Sequence, residues 1–140
     1  MVRVFYFAIF CHSSIIYLVS FTNRYKDPVP LFQDKNNPLF EYDMLFQDDG
    51  ARSLRFAPYA ANTGFFFARH NERTRYFFIS MLYHADMIQR TRSHQAVVAS
   101  LLPEFNSLVG LKVKTLQDTD FPGGFHYLRK FLIHFLFVVD

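Results

Sequence analysis

The middle of the chain alternates between strand-like and helix-like hydrophobic patterns, and this alternation most limits what it can fold into. The aromatic run from Asn62 to Arg69 is typical of a β-strand. A helix is predicted to follow from Asn71 to about Arg90, because Asn71 is a suitable N-cap and Glu72 is favourable in a first helical turn. The predicted buried face of this helix consists of Tyr76, Ile79, Tyr83 and Met87, widened by Phe77, Met81 and Ile88. Strands that alternate with helices indicate an α/β layer arrangement.

Further elements lie on both sides of this unit. Residues 42–46 form a short apolar run closed by Asp-Asp-Gly, which predicts a buried strand ending in a polar turn. Ser93 is expected to cap a second helix, which should stop at Pro103 because proline breaks helices. Apolar and basic residues alternate over 111–116, which favours a half-exposed strand.

Two segments have the composition of loops. Residues 22–40 contain three prolines and an Asn-Asn pair, and residues 51–61 contain two arginines and a proline. Within the first segment, Val29, Leu31 and Phe32 are apolar and are candidates for contact with the core.

Composition excludes several classes of protein. A chain of 140 residues has room for one domain, and its 51% hydrophobic content excludes a disordered tail. The formal net charge of +3 comes from scattered basic residues, which disfavours a nucleic-acid-binding surface and suits a small anionic ligand. Cys11 is the single cysteine, so an intramolecular disulfide and a cysteine-based zinc site are excluded.

The N-terminal stretch from Val4 to Phe21 is almost entirely apolar, and three interpretations of it stay open. Its length is at the lower limit for crossing a bilayer, and Arg3 just before it suits a membrane anchor or an uncleaved signal. Alternatively, it is a buried element of the domain, or it is sequence foreign to the domain. We therefore treat residues 1–21 as a separate segment, as we do the apolar C-terminal tail over 131–140.

Five motifs in a fixed order carry a resemblance to a known family. They are KDPVPLF, YDMLFQDDGARS, APYAANTGFFFARHNERTRYFF, SHQAVVASLL and FPGGFHY. Together they resemble the nucleotide-diphospho-sugar transferase domain of plant and algal arabinosyltransferases and xylosyltransferases. The resemblance covers residues 26–130 and implies an α/β fold of the GT-A type, a Rossmann-like sheet of which this chain holds a part without the N-terminal half.

The same resemblance implies a function. A sugar is transferred from a nucleotide-diphospho-sugar, a UDP-pentose or a UDP-hexose, to a glycan or glycoprotein acceptor, with no nucleic-acid partner. The family uses a divalent cation, Mn²⁺ or Mg²⁺, which neutralises charge on the departing nucleotide diphosphate. A location in the Golgi or another endomembrane is also implied, with membrane anchoring through residues 4–21.

The chain departs from the family pattern at the metal site. The family carries an Asp-x-Asp motif shortly before the segment equivalent to 26–28, and the corresponding positions here fall close to Val19 and Phe21. Residues 1–26 contain no Asp or Glu. This departure supports an alternative function, in which the chain is a catalytically inactive, truncated remnant or a pseudo-transferase.

The resemblance also nominates site residues, although it assigns no catalytic residue. Asp48 and Asp49 are expected to belong to the donor pocket, with a polar turn before Gly50 as the alternative. Asn62 is expected to bond a sugar hydroxyl and Gly64 to permit close approach of the donor, with an ordinary strand start as the alternative.

The remaining candidates lie further along the chain. Gln95, favoured over its neighbour His94, opens the second helix, where unpaired N–H groups suit anions or hydroxyls. His126 is the candidate metal ligand, with a packed histidine as the alternative. Three arginines are candidates for diphosphate or acceptor contacts or, alternatively, solvated surface residues: Arg52, Arg55 and Arg69.

Overall fold

A computed structural model of the chain describes residues 5–11, 14–20, 29–50 and 54–121. Phe21, Arg52, His126, the part of the FPGGFHY motif after Phe121 and the C-terminal tail lie outside these ranges. The strands are β1 Phe5–Cys11, β2 Ser14–Ser20, β3 Met44–Asp48, β4 Ala61–Arg69 and β5 Val113–Thr115. The helices are α1 Val29–Gln33, α2 Glu72–Tyr83, α3 Ala85–Thr91 and α4 His94–Val109, with short 3-10 turns at Pro38–Glu41 and Leu54–Phe56.

The described strands form one five-stranded sheet in the order β1-β2-β4-β3-β5. β4 is antiparallel to both of its neighbours, β2 and β3, whereas β3 and β5 are parallel. It follows that β2, β3 and β5 run in the same direction and that their carboxyl ends share one edge of the sheet. This mixed sheet with its helices confirms the predicted α/β class and is consistent with part of a nucleotide-sugar transferase fold.

Alternate residues of β3 and β4 supply two hydrophobic layers, as the period of a strand requires. On one face, Phe46 and Phe66 stack with ring centroids 5.4 Å apart, in the cluster that also includes residues of α2 and α4. On the other face, Leu45 and Phe67 pack in a smaller cluster with Phe32. This confirms the expected contact of Phe32 with the core. Leu31, in contrast, is exposed.

The helix predicted over 71–90 is two helices, α2 and α3, separated at His84. The predicted N-cap is confirmed, because the Asn71 side chain accepts a hydrogen bond from the Thr74 amide and the Thr74 hydroxyl accepts one from the Asn71 amide. The Thr74 hydroxyl also donates to the carbonyl of Arg69, which fixes the rotation of α2 about its axis.

The predicted buried face of this helix is therefore wrong at its centre. Thr74 and Phe77 are the buried residues of α2. Tyr76, Ile79 and Tyr83 are exposed, whereas Phe77 is fully buried. The ring of Phe77 meets that of Phe105 in α4 edge-on, with centroids 5.3 Å apart, and the half-exposed ring of Tyr76 lies 5.1 Å from the same Phe105 ring.

The second helix begins as predicted and ends later than predicted. Ser93 caps it by accepting a hydrogen bond of 3.2 Å from the Ala96 amide. α4 then continues through Pro103 to Val109, because Leu101, Leu102 and Phe105 are buried on both sides of the proline, and this packing offsets a cost of about 3 kcal/mol. It ends at Gly110, whose positive φ of 70° is the usual helix-terminating conformation of glycine.

Other expectations change in detail. The predicted loop over 22–40 contains α1 and a 3-10 turn that Asn37 caps, and the loop over 51–61 contains the turn Leu54–Phe56. The apolar N-terminal stretch contributes β1 and β2, which pair as an antiparallel hairpin. Among the described residues, no helix combines the length and the apolar character needed to cross a membrane. The segment boundaries, membrane anchoring and the Golgi location stay predictions.

A buried carboxylate ties three elements together at the edge where β4 ends. Asp43 is 6% exposed and precedes β3. Its carboxylate accepts hydrogen bonds of 2.7 Å from the Asn71 side chain, 2.9 Å from the Arg73 guanidinium and 2.9 Å from the Lys112 amide. The start of α2 and the chain entering β5 are thereby fixed to β3.

At the same edge, Arg69 fastens the segment before β3 to the sheet. Its guanidinium donates to the carbonyl oxygens of Phe32, Tyr42 (2.9 Å) and Leu39 (3.4 Å). It also lies 4.2 Å from the ring centroid of Phe40. Burial lowers the pKa of Arg69, and the charge of nearby Asp43 opposes that shift. The expectation that Arg69 is a solvated or diphosphate-binding residue is therefore wrong, because its donors serve the chain itself.

The contacts of Asp43 predict a large loss of stability in Asp43→Asn. The amide keeps one acceptor oxygen and presents N–H groups to donors, so we expect a loss of about 3 kcal/mol in the free energy of unfolding. Denaturant unfolding of the full chain measures this. Asp86→Asn is the control, because Asp86 forms an exposed pair with Arg90, and it should cost less than about 0.5 kcal/mol. Equal losses in both variants would contradict the structural role of Asp43.

Arg69→Lys is expected to be destabilising although it keeps the positive charge. A lysine ammonium lacks the planar fork that reaches several carbonyl groups at once, so we expect a loss of about 2 kcal/mol. The exposed Arg90→Lys is the matched control, with an expected change below about 0.5 kcal/mol. Thermal unfolding followed by circular dichroism compares the two, and a stable Arg69→Lys variant would show that the fork is not needed.

Candidate functional site

The candidate site is the sheet edge at which β2, β3 and β5 end and β4 begins. In open α/β sheets, ligands bind outside the carboxyl ends of the strands. Three strands present those ends here, and the amino end of α4 lies beside them through a contact between Gln95 and Thr63. Of the residues nominated from sequence, the structure brings Asp48, Asn62 and Gln95 to this edge, together with the neighbours of each.

The pairing of β3 with β4 changes register at this edge. Phe46 lies opposite Phe66, whereas the next residue, Gln47, lies opposite Asn62. Residues 63–65 of β4 therefore have no counterpart on β3, and we call them the β4 bulge. Bulges are frequent next to active sites, because they redirect backbone groups away from the ladder.

Asn62 directly precedes the β4 bulge and is bonded to Gly64 within it. The side-chain oxygen of Asn62 accepts a 2.8 Å hydrogen bond from the Gly64 amide, and the side-chain NH₂ group of Asn62 donates at 2.9 Å to the Gln47 side chain. A Cβ atom on Gly64 would lie 3.0 Å from that Asn62 oxygen. A larger residue at this position would therefore require the Asn62 side chain to shift by a few tenths of an ångström. The expected contacts of both residues with a donor sugar stay predictions.

Gln95 holds the β4 bulge from the helix side. Its side-chain oxygen accepts hydrogen bonds from both the amide and the hydroxyl of Thr63, each at 3.3 Å. Gln95 is in the first turn of α4, which Ser93 caps. The neighbouring His94 is exposed. The structure therefore distinguishes the two residues, as the sequence did, by giving Gln95 the contact with the bulge.

Asp48 and Asp49 lie where β3 ends. Asp48 accepts a 2.8 Å hydrogen bond from the Gly50 amide, which is the predicted polar turn. The Asp49 amide donates at 2.9 Å to the carbonyl of Ala60, just before β4. The pair thus closes the connection between β3 and β4 and also lies at the edge expected for a donor pocket.

The residues in the described part of the chain do not fit a divalent cation. No group of three His, Cys, Asp or Glu side chains gathers within residues 5–11, 14–20, 29–50 and 54–121. Val19, one of the positions expected for the family's Asp-x-Asp, is at the carboxyl end of β2, one residue past the Leu18–Phe65 pair. The edge that would hold the metal is thus apolar in sequence at that point, and no step is derived through a cation.

A concave surface lies away from this edge. It encloses about 390 Å³ between α2 and the end of α4, next to Tyr76, Ile79 and Val109. Its charged neighbours already form pairs, Arg75 with Glu72 and Arg73 with Asp43. Because those cations are engaged, this groove suits a diphosphate poorly, and the sheet edge stays the candidate site.

Sequence reasoning missed Gln47 and Thr63. Gln47 follows the apolar run of β3, so a polar side chain at the end of a buried strand was the available signal. Thr63 lies between two nominated residues and was passed over because its role depends on the register shift. Arg69 is at the opposite end of β4 from Asn62, which removes it from the site.

Comparison with known proteins identifies the family of the chain. The sequence profile described as nucleotide-diphospho-sugar transferase matches residues 23–134 of the chain. No curated protein and no solved structure gives a match. The profile covers most of the sequence and includes the β4 bulge, Gln95 and both aspartates. The chain therefore belongs to the nucleotide-diphospho-sugar transferase family, whose function is of the glycosyltransferase type.

Proposed function

We propose that the chain binds a nucleotide-diphospho-sugar, a UDP-pentose or a UDP-hexose, at the β4 bulge and transfers the sugar to a glycan or glycoprotein acceptor. The observation that carries the proposal is the pair of amide side chains, Asn62 and Gln95, that hold the bulge open at the carboxyl edge of the sheet. Neutral amides and the half-buried residues 62–65 at the start of β4 provide the donors and acceptors that sugar hydroxyls need.

In this reaction the bond between the anomeric carbon and the diphosphate oxygen breaks, and UDP departs with the electron pair. The acceptor hydroxyl oxygen forms the new bond to the anomeric carbon and releases its proton. Two carboxylates at this edge belong to β3 and to the turn that follows it, Asp48 and Asp49. We propose that they face the donor, as the family resemblance implies.

The absence of carboxylates from the sequence around the end of β2 favours a second function. Val19 and Phe21 are the sequence positions where the family's carboxylates are expected, so the leaving diphosphate lacks that source of charge neutralisation. Loss of one well-placed electrostatic contact in an active site costs roughly 10²-fold or more in rate. The alternative is accordingly a catalytically inactive remnant or pseudo-transferase that binds the donor without transferring the sugar.

Calorimetric titration of the full chain with UDP, UDP-xylose and UDP-galactose, each with and without Mn²⁺, tests both functions. Transfer predicts binding of UDP and of one UDP-sugar, together with UDP release that depends on an added acceptor. Binding without release supports the pseudo-transferase. A chain that binds none of these nucleotides at millimolar concentration contradicts both.

Two substitutions locate the site within this experiment. Gln95→Leu removes the acceptor of the Thr63 amide, so we expect UDP-sugar binding to weaken about tenfold. Gln89→Leu is the matched control, because Gln89 is exposed on α3, away from the bulge. His126→Ala should abolish any Mn²⁺-dependent part of the affinity. Unchanged binding in Gln95→Leu would place the nucleotide elsewhere.

A further inference from the structure

Gln47 stands directly across from the β4 bulge and has no assigned role. It is the β3 residue at which the pairing changes register, opposite Asn62. Its side-chain oxygen accepts the 2.9 Å hydrogen bond from the NH₂ group of Asn62. Its own NH₂ group donates at 3.4 Å to the carbonyl of Phe121, in the turn that follows β5. Gln47 thus connects the bulge with the chain on the far side of the sheet edge.

Gly64, Asn62, Gln47 and Phe121 are linked by a series of three hydrogen bonds. The backbone groups at its two ends fix the direction of each bond. The Gly64 amide can only donate, so the Asn62 atom that faces it must be the carbonyl oxygen. The NH₂ group of Asn62 then faces Gln47 and requires its oxygen. The Phe121 carbonyl can only accept, which requires the NH₂ group of Gln47 on that side. The side-chain amides of Asn62 and Gln47 therefore have a single orientation that satisfies both the Gly64 amide and the Phe121 carbonyl.

Both ends of the series are anchored. The Phe121 amide donates at 2.9 Å to Gln117, which closes its turn. The Phe121 ring lies 5.6 Å from that of Phe32 and 5.9 Å from that of Phe65, the last residue of the bulge. Because Phe121 and the bulge also meet through their rings, a change at Gln47 alters the orientation of Asn62 without releasing either segment.

We propose that Gln47 is a positioning residue for the donor sugar: it sets the orientation of the Asn62 amide and, through it, the backbone of Gly64. This inference rests on the proposed function, because it takes the bulge to contact the sugar part of the donor. Gln47 would then affect recognition of the sugar and leave recognition of the UDP part unchanged. A side chain with a merely structural role would weaken both equally, through loss of folded protein.

Two variants separate polarity from packing. Gln47→Met keeps the length of the side chain and removes both hydrogen bonds. Gln47→Glu keeps the length and the acceptor for Asn62, but its carboxylate cannot donate to Phe121. Because Gln47→Glu can still accept the hydrogen bond from Asn62, it is expected to keep the wild-type preference for a UDP-sugar over UDP. Gln47→Met is expected to lower that preference by about tenfold, with the UDP affinity within about twofold of the wild-type value.

The measurement is calorimetric titration of the wild-type chain and the variants with UDP, UDP-xylose and UDP-galactose, and Gln89→Leu is the control with an unchanged preference. Hydrogen exchange at the Gly64 amide, without ligand, is expected to accelerate in Gln47→Met and to stay near the wild-type rate in Gln47→Glu, while exchange at Ala68 stays unchanged in both. In Gln47→Met, an unaltered preference, an equal loss of UDP and UDP-sugar affinity, or unaltered exchange at Gly64 overturns the inference alone. A wild-type chain that binds no nucleotide overturns the proposed function, and the inference with it.

Discussion

The fold depends on how the backbone hydrogen-bonding groups of β4 find partners along the length of the strand. From Phe66 to Ala68 it pairs on both sides, with β2 and β3, and these three residues are buried. At residues 63–65 the ladder to β3 is interrupted, so backbone groups lose their usual partners. An unmade buried hydrogen bond costs about 1–3 kcal/mol. Side chains replace the missing strand contacts, Asn62 for the Gly64 amide and Gln95 for that of Thr63. The register shift explains why amide side chains gather there.

The two edges of the sheet are stabilised by different chemistry. Where β4 ends, Asp43 and Arg69 are charged and their hydrogen-bonding groups are engaged by the chain. Such groups hold elements in place because removing one partner leaves a buried charge unpaired. Where β4 begins, the bulge is held by neutral amides. A neutral amide holds the backbone and keeps the capacity for further hydrogen bonds, since its oxygen has two lone pairs and its NH₂ group two donors. One edge is therefore suited to anchoring the fold, and the other to hydroxyl recognition.

Local signals were read correctly from the sequence, and signals that depend on packing were not. The caps at Asn71 and Ser93 were predicted because capping involves residues within one turn. The face of α2 was misjudged, since helical spacing admitted both Tyr76 and Phe77. Both rings lie beside Phe105 of α4, and only the depth of burial, which depends on tertiary packing, separates them. The role of Arg69 was missed for the same reason, because its acceptors lie in a segment about thirty residues away. The site residues came from the ordered motifs, and their arrangement needed the register shift, which no sequence pattern revealed.

The chemistry of the candidate site bears on how the chain recognises a donor, whether or not it transfers the sugar. A nucleotide diphosphate is held largely by cations, whereas a sugar is held by directional hydrogen bonds to its hydroxyls. The described edge supplies the second kind through the bulge and its amides, and the end of β2 lacks the carboxylates that would bring a cation. Under the proposed function, selectivity for the sugar and the rate of its transfer depend on different groups of this edge. A chain that lacks the metal-binding carboxylates can keep the bulge and its contacts, because the amides that orient the bulge do not depend on a metal.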